Sequence, residues 1–283
     1  MKAITALHLR PLLFRGLSAA GAVAFTSALA LAPLALLAQG PAKNPTGKVY
    51  VAGVEGGAQA ATGDKIEMLA VKSIFQAQGA QIETKPRGTL TMVFSNGTGF
   101  FLDQDTHIDV TRFTQESFTA SRTDLELEPS ISHTDIFLPH GTVAVSTSKL
   151  AAGSTLTITT PLGSFNLHGG NLVIEAEATS VKFSLLLGEG TVNGGSLDLG
   201  GQVLHAGEQA VIHPGAPGQP NIVVVGKIPP GELPRLEAMV AQAYAARKTV
   251  FFSTDASDDI TVFPVVPTSL PVQSAISPSR LPR

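Results

Sequence analysis

Cysteine and tryptophan are both absent from the 283-residue chain, and tyrosine occurs only twice. Without cysteine there can be no disulfide, thiolate zinc site, iron–sulfur cluster or cysteine nucleophile. The shortage of tryptophan and tyrosine leaves poor material for an aromatic ligand platform. Charge is sparse as well. Charged residues make up 14% of the chain and the net charge is −3, so nothing electrostatic recommends nucleic acid as a partner. Common catalytic signatures are missing too. There is no G-x-S-x-G elbow, so His168-Gly169-Gly170 has no nucleophile to serve as an oxyanion loop. There is no H-E-x-x-H helix and no dinucleotide fingerprint, and Gly47-Lys48 lacks the glycine five residues earlier that a Walker loop requires.

What the chain does have is apolar residues, at 43%, with 28 glycines and 19 prolines, enough to fill a core and to turn often. Lys2, Arg10 and Arg15 precede an uncharged run over 16–38. A basic front, an apolar middle with Pro33 late in it, and Ala38 before Gln39 have the form of a secretory signal peptide over residues 1–38, cleaved after Ala38. Leu36, at the third position before that site, fits the small-residue preference imperfectly. The run also exceeds the roughly 20 apolar residues that span a bilayer, so a retained N-terminal anchor is the alternative. Either way, the expected location is periplasmic or secreted, or anchored in the inner membrane and facing the periplasm.

Residues 39–47 read as a linker. From 48 to about 225, short apolar or alternating runs are punctuated by Gly, Asn and Pro: KVYVAGV, IETKPRGTLTMVF, GFFLDQDTHIDV, DIFLPHGTVAV, STLTITT, NLVIEAE, VKFSLLL and QAVIHPG. No helical period is sustained there, so this part is expected to be all-β. Asn96-Gly97 and Asn193-Gly194 each signal a tight type I′ hairpin turn. LAAGSTLTI (150–158) and LHAGEQAVI (204–212) share Leu, Ala, Gly and Ile in register, a weak internal repeat. One amphipathic helix is expected over 231–249. It would place Leu233, Leu236, Met239, Val240, Ala243 and Tyr244 on one face, with Pro234 in its first turn and Arg247 and Lys248 at its end. Residues 250–283 read as a mostly disordered Pro- and Ser-rich tail, in which ITVFPVV could add an edge strand.

The alternation Asp103, Asp105, His107, Asp109 admits two explanations. On one strand face it could gather oxygen and imidazole ligands for calcium, manganese or zinc, serving a metal-dependent binder or an enzyme. It is also what the wet face of a half-buried strand looks like, with Leu102, Ile108 and Val110 turned to the core. The second account explains every residue, since alternate side chains on a strand diverge. The other histidines, His133, His140, His168, His205 and His213, are scattered, most of them beside turns. No catalytic, cofactor-binding or metal-binding residue is assigned, and no cofactor is expected.

The same region also resembles the FecR domain. The matching residues are Ile82-x-Thr84, Gly88, LTMVFSNGT (90–98), Leu102, Thr106-x-Ile108-x-Val110 and Phe113. Gly141-Thr142-Val143, Thr160-Pro161-x-Gly163, Gly190-Thr191-Val192 and Ala206-Gly207-Glu208-Gln209 follow in order. The resemblance spans roughly 48–215. It departs from the family pattern at His168-Gly169-Gly170, where Arg-Gly-Thr is usual, and in lacking the cytoplasmic helical arm that holds a sigma factor. It implies a β-solenoid-like or rolled β-sandwich domain of the bacterial envelope, non-enzymatic, binding an envelope protein or polysaccharide in sensing or signalling. Membrane contact is implied only if the leader is retained, in which case the chain would be an anchored regulator.

Overall fold

A computed structural model describes residues 44–119, 125–195, 197–198, 200–254 and 259–265. The leader and the tail beyond 265 lie outside the described residues. The described residues are all-β with one helix, as the punctuated apolar runs require.

The strands are β1 (Lys48–Glu55), β2 (Ala58–Thr62), β3 (Lys65–Met68), β4 (Ile74–Gln76), β5 (Ala80–Thr84), β6 (Thr89–Phe94), β7 (Gly99–Leu102) and β8 (His107–Gln115). They continue with β9 (Ser132–Ser146), β10 (Thr155–Thr159), β11 (Ser164–Ala176), β12 (Val181–Asn193), β13 (Gln202–His205), β14 (Glu208–His213) and β15 (Ile222–Lys227). Helix α1 (Leu233–Arg247) and the hairpin β16 (Val250–Thr254) and β17 (Ile260–Pro264) complete the fold.

One large mixed sheet rolls into two facing layers because three long strands serve both. Residues 132–140 of β9 pair with β8 and with β10, the latter in parallel, whereas 141–146 pair with β7 and β11. Likewise β11 and β12 pair over 164–167 with 190–193, shift register, and pair again over 171–176 with 181–187. The first layer therefore runs β4-β1-β6-β7-β9-β11-β12-β14-β15, and the second β3-β2-β5-β8-β9-β10-β11-β12-β13. The bends fall at positive-φ glycines, at Gly141 in β9, at Gly169 and Gly170 in β11, and at Gly188 in β12. His168-Gly169-Gly170 is thus one of the corners of the roll.

Alternating side chains from both layers meet in one core, with Phe94, Phe100, Phe165 and Phe183 among its fully buried members. On the outer face of the first layer, α1 buries Leu236, Met239 and Val240 against Ala144 and Val173. Beside it, β16 and β17 bury Val250, Phe252 and Ile260 against Val93 and Phe118. Residues 250–264, read from composition as tail, are therefore partly a docked hairpin, and ITVFPVV supplies β17 of a separate two-stranded sheet.

Other expectations need correction. Tyr244 is 43% exposed, off the buried helix face, and its hydroxyl donates to Glu126 Oε1. Arg247, at the end of the helix as expected, is buried. Asn96-Gly97 does join two paired strands, β6 and β7, but only Gly97 has positive φ, so the turn is not type I′. Asn96 is buried, accepts the Thr98 N–H and donates to Ser132 Oγ. Asn193-Gly194 opens a longer loop to β13, in which the Asp198 carboxylate accepts the N–H groups of Gly194, Gly200 and Gly201. The two repeat segments share a positive-φ glycine ahead of a strand, yet β10 joins β9 in parallel while β14 joins β12 antiparallel.

Candidate functional site

The four alternating polar residues do not share one strand face. β7 ends at Leu102 in the first layer and β8 begins at His107 in the second, so Asp103 to Thr106 is the crossing between layers. Asp103 Oδ1 accepts the Gln104 N–H, and Asp105 has φ 51°. Alternation proper starts at His107, whose Nε2 lies 2.9 Å from Asp109 Oδ1 and whose ring centroid is 6.0 Å from that of His140 across the ladder. Leu102, Ile108 and Val110 are buried, as the half-buried strand requires. Among the described residues, no group of three His, Cys, Asp or Glu side chains is placed to hold a metal ion.

The crossing is held by residues that stand far apart in sequence. Thr84 Oγ1 donates to Asp103 O at 2.6 Å and accepts the Thr106 N–H at 2.9 Å. Thr106, fully buried, accepts the Thr142 N–H on its own Oγ1 at 3.0 Å. A Cβ on Gly141 would stand 2.5 Å from Thr106 Cα, so only glycine admits this approach. The I-x-T, T-x-I-x-V and G-T-V motifs therefore meet at one buried node. Satisfied hydroxyls of this kind fix the layer crossing and leave nothing reactive exposed.

Asp103 turns instead toward a groove on the outer face of the first layer. One wall is Gly53–Glu55 of β1, Thr89 and Thr91 of β6, and Phe101 of β7; the other is Arg235, Ala238, Met239 and Gln242 of α1. Its volume is about 550 Å³. The groove stays open because small residues face it: Gly53 leaves β1 bare there, and Ala238 keeps the helix wall thin. Arg235 is drawn to the far side by Glu175, with Nη2 2.8 Å from Oε1, and its Nη1 rests on Met239 Sδ at 3.7 Å. Glu55 and Asp103 are the carboxylates of the groove, and Phe101 and Met239 supply apolar surface to it. A concave surface with a few polar groups among apolar ones suits binding.

A second cavity of about 290 Å³ lies at the C-terminal end of α1, lined by Leu125, Leu127, Pro129, Val250, Phe251 and Phe252 around Glu128 and Arg247. Most of the polar atoms of Arg247 and Glu128 are committed to structure, although Arg247 Nε is buried with no hydrogen-bond partner among the described residues. Arg247 donates from Nη1 to Thr147 O at 2.6 Å and from Nη2 to Leu125 O at 2.7 Å, and Nη2 lies 3.3 Å from Glu126 Oε2. Glu128 accepts Ser132 Oγ–H at 2.5 Å and the Ala151 N–H at 2.7 Å. Burial pushes its carboxyl above the ordinary glutamate range, and these hydrogen bonds only partly offset that. Neither the groove nor this cavity announces itself in the sequence, because each joins elements more than a hundred residues apart. The only advance signal was the helical period that brought α1 onto the sheet.

No protein-family model matches the chain, and no curated protein matches it. Two solved structures, each of a candidate anti-sigma factor from Parabacteroides distasonis, match the chain. The first is 13% identical with a TM-score of 0.40, covering 54% of this chain and 62% of its own. The second is 10% identical with a TM-score of 0.38, covering 65% of this chain and 98% of its own. The chain thus spans less than two thirds of the first structure's length.

Proposed function

We propose that this chain is a FecR-like binding module of the bacterial envelope, exported by its leader, which works by engaging an envelope protein or polysaccharide in sensing or signalling rather than by turnover. The observation that carries the proposal is the buried node of Thr84, Thr106, Gly141 and Thr142. Motif residues from three separate segments are consumed there in fixing the roll of the sheet. That is the behaviour of a family scaffold whose function resides in the surface it presents. The surface left for a partner is the groove between α1 and β1, β6 and β7, where Glu55 and Asp103 accompany the apolar surface of Phe101 and Met239.

The test is site-specific photocrosslinking in the envelope of the organism that encodes the chain. A photoreactive residue at Thr91 or Gln242 should give a discrete adduct, and one at exposed Ile66 on β3 should not. Groove positions that yield no adduct above the Ile66 background would overturn the proposal.

A further inference from the structure

We propose that a second copy of this chain pairs through the free edge of β15, joining the first layers of two molecules into one continuous sheet about a two-fold axis at Val225. The proposal is independent of the FecR-like reading.

β15 ends the first layer and pairs only with β14 among the described residues. The Ile228 N–H donates to Gly207 O, which fixes the parity of the ladder. With Glu208 opposite Lys227 and no register shift up to His213 opposite Ile222, the backbone groups of Ile222, Val224 and Gly226 point toward β14. Those of Val223, Val225 and Lys227 therefore point away from it. Three N–H and three C=O groups stand in a row at the rim of the sheet, and the side chains around them are apolar. Ile222 is 57% and Val224 54% exposed, and Val225 is also exposed.

Folded proteins usually blunt such edges with charge, proline or brevity. The other edges of this sheet follow that rule. β3 carries Lys65 and Glu67, β4 has only three residues, and β13 has four, with Gln202 and His205 at its ends. β15 has six residues, no proline, and no charge before Lys227. An unguarded edge of backbone donors and acceptors is chemically suited to one kind of occupant, a β-strand.

That the strand belongs to a second copy follows from its self-complementarity. In an antiparallel register centred on Val225, Val225 faces the partner's Val225, and Val223 faces the partner's Lys227. All three outward-facing residues of each copy then find backbone partners. No like charges meet, and the lone cation, Lys227, keeps Glu208 at 3.2 Å as its counter-ion. A two-fold axis of this sort is isologous and closes at a dimer, so the pairing would not propagate into fibres.

The test uses the full chain as its host processes it, followed by light scattering through a dilution series. The wild type should show twice the protomer mass. Val225→Pro should show the protomer mass with unchanged circular dichroism, because the Val225 N–H points away from β14 and has no acceptor among the described residues, and an edge strand tolerates proline there. The absence of cysteine supplies a second readout that does not depend on that variant folding. Val225→Cys should oxidise to a disulfide-linked pair, because directly opposite residues in such a ladder lie about 5.5 Å apart between Cα atoms. Ile66→Cys on β3 should form no disulfide-linked pair. A monomeric wild type, a Val225→Pro variant that folds and stays dimeric, or equal cross-linking at 66 and 225 would each overturn the proposal.

Discussion

Gly170 and Gly188 face each other across the bend of β11 and β12 with no room for a side chain on either. A Cβ on Gly170 would stand 2.0 Å from the Leu187 carbonyl oxygen, and one on Gly188 1.9 Å from that of Gly169. Both also have positive φ, 121° and 95°. His168-Gly169-Gly170 is thus a corner at which the sheet rolls from one layer to the other. Gly170→Ala and Gly188→Ala should each destabilise the fold by about 2–5 kcal/mol, since overpacking costs ~1–3 kcal/mol and the left-handed backbone adds ~1–2. Urea denaturation checks this, with Gly63→Ala as a contrast. Gly63 also has positive φ, but a Cβ there meets nothing within 4 Å, so its loss should be no more than the backbone share.

Arg247 ties the end of α1 to two separate segments through Thr147 O and Leu125 O while 96% of its surface is hidden from solvent. Arg247→Met should leave both carbonyls unsatisfied and cost about 2–4 kcal/mol, given ~1–3 for each buried acceptor left alone. Arg247→Lys should recover little, because one ammonium cannot reproduce a planar fork aimed at two acceptors. Thermal denaturation of both variants is the measurement, and near-complete recovery by lysine would be the contrary result.

The raised carboxyl of Glu128 gives a pH dependence whose sign follows from linkage. The folded state holds this proton more tightly than the unfolded chain, where the ordinary value is 4.5. Glu128 therefore favours the fold fully below 4.5, and that contribution declines as pH rises from there through the folded-state value. Glu128→Gln should remove this falling component from the profile, with its amide oxygen accepting the Ala151 N–H and its NH2 donating to Ser132 Oγ. Stability measured from pH 4 to 8 for both proteins checks it, and identical slopes would show that Glu128 does not titrate in this range.

Calcium, manganese or zinc should leave the melting temperature where a chelator leaves it, since Asp103, Asp105, His107 and Asp109 are divided between two layers and a turn. A metal binding the folded state at a hundred times its Kd would add about 2.7 kcal/mol. Such a gain, lost in His107→Ala, would restore a metal role to the β8 face.

Intact mass after expression in a Gram-negative host, with soluble periplasm separated from membrane, tests the leader. A soluble species beginning at Gln39 is expected. A full-length, membrane-bound species would make the chain an anchored regulator instead.

Much of this architecture is written in local pattern. The runs around Leu90–Phe94 and Leu172–Ile174 read as strands and are buried ones, and the spacing of Leu236, Met239, Val240 and Ala243 reads as an amphipathic helix, which docks by that face. The short strands β2 to β4 escaped notice because AQAAT and KIEM carry too few apolar residues to show a period, and their order comes from pairing with neighbours. Local pattern also could not show that Asp103 and His107 belong to different layers. A period of two describes one strand and has no information about where the chain leaves its sheet. Nor could it foresee that Arg247 would be buried, or that Glu55 and Asp103 would share a groove with a helix more than 130 residues away. By itself, the sequence determined an all-β chain without thiol chemistry, with one amphipathic helix and motifs rich in Gly and Thr. Tertiary structure alone decided which polar residues the roll would consume and which edge and groove it would leave open, because burial and hydrogen-bond partnership depend on long-range pairing.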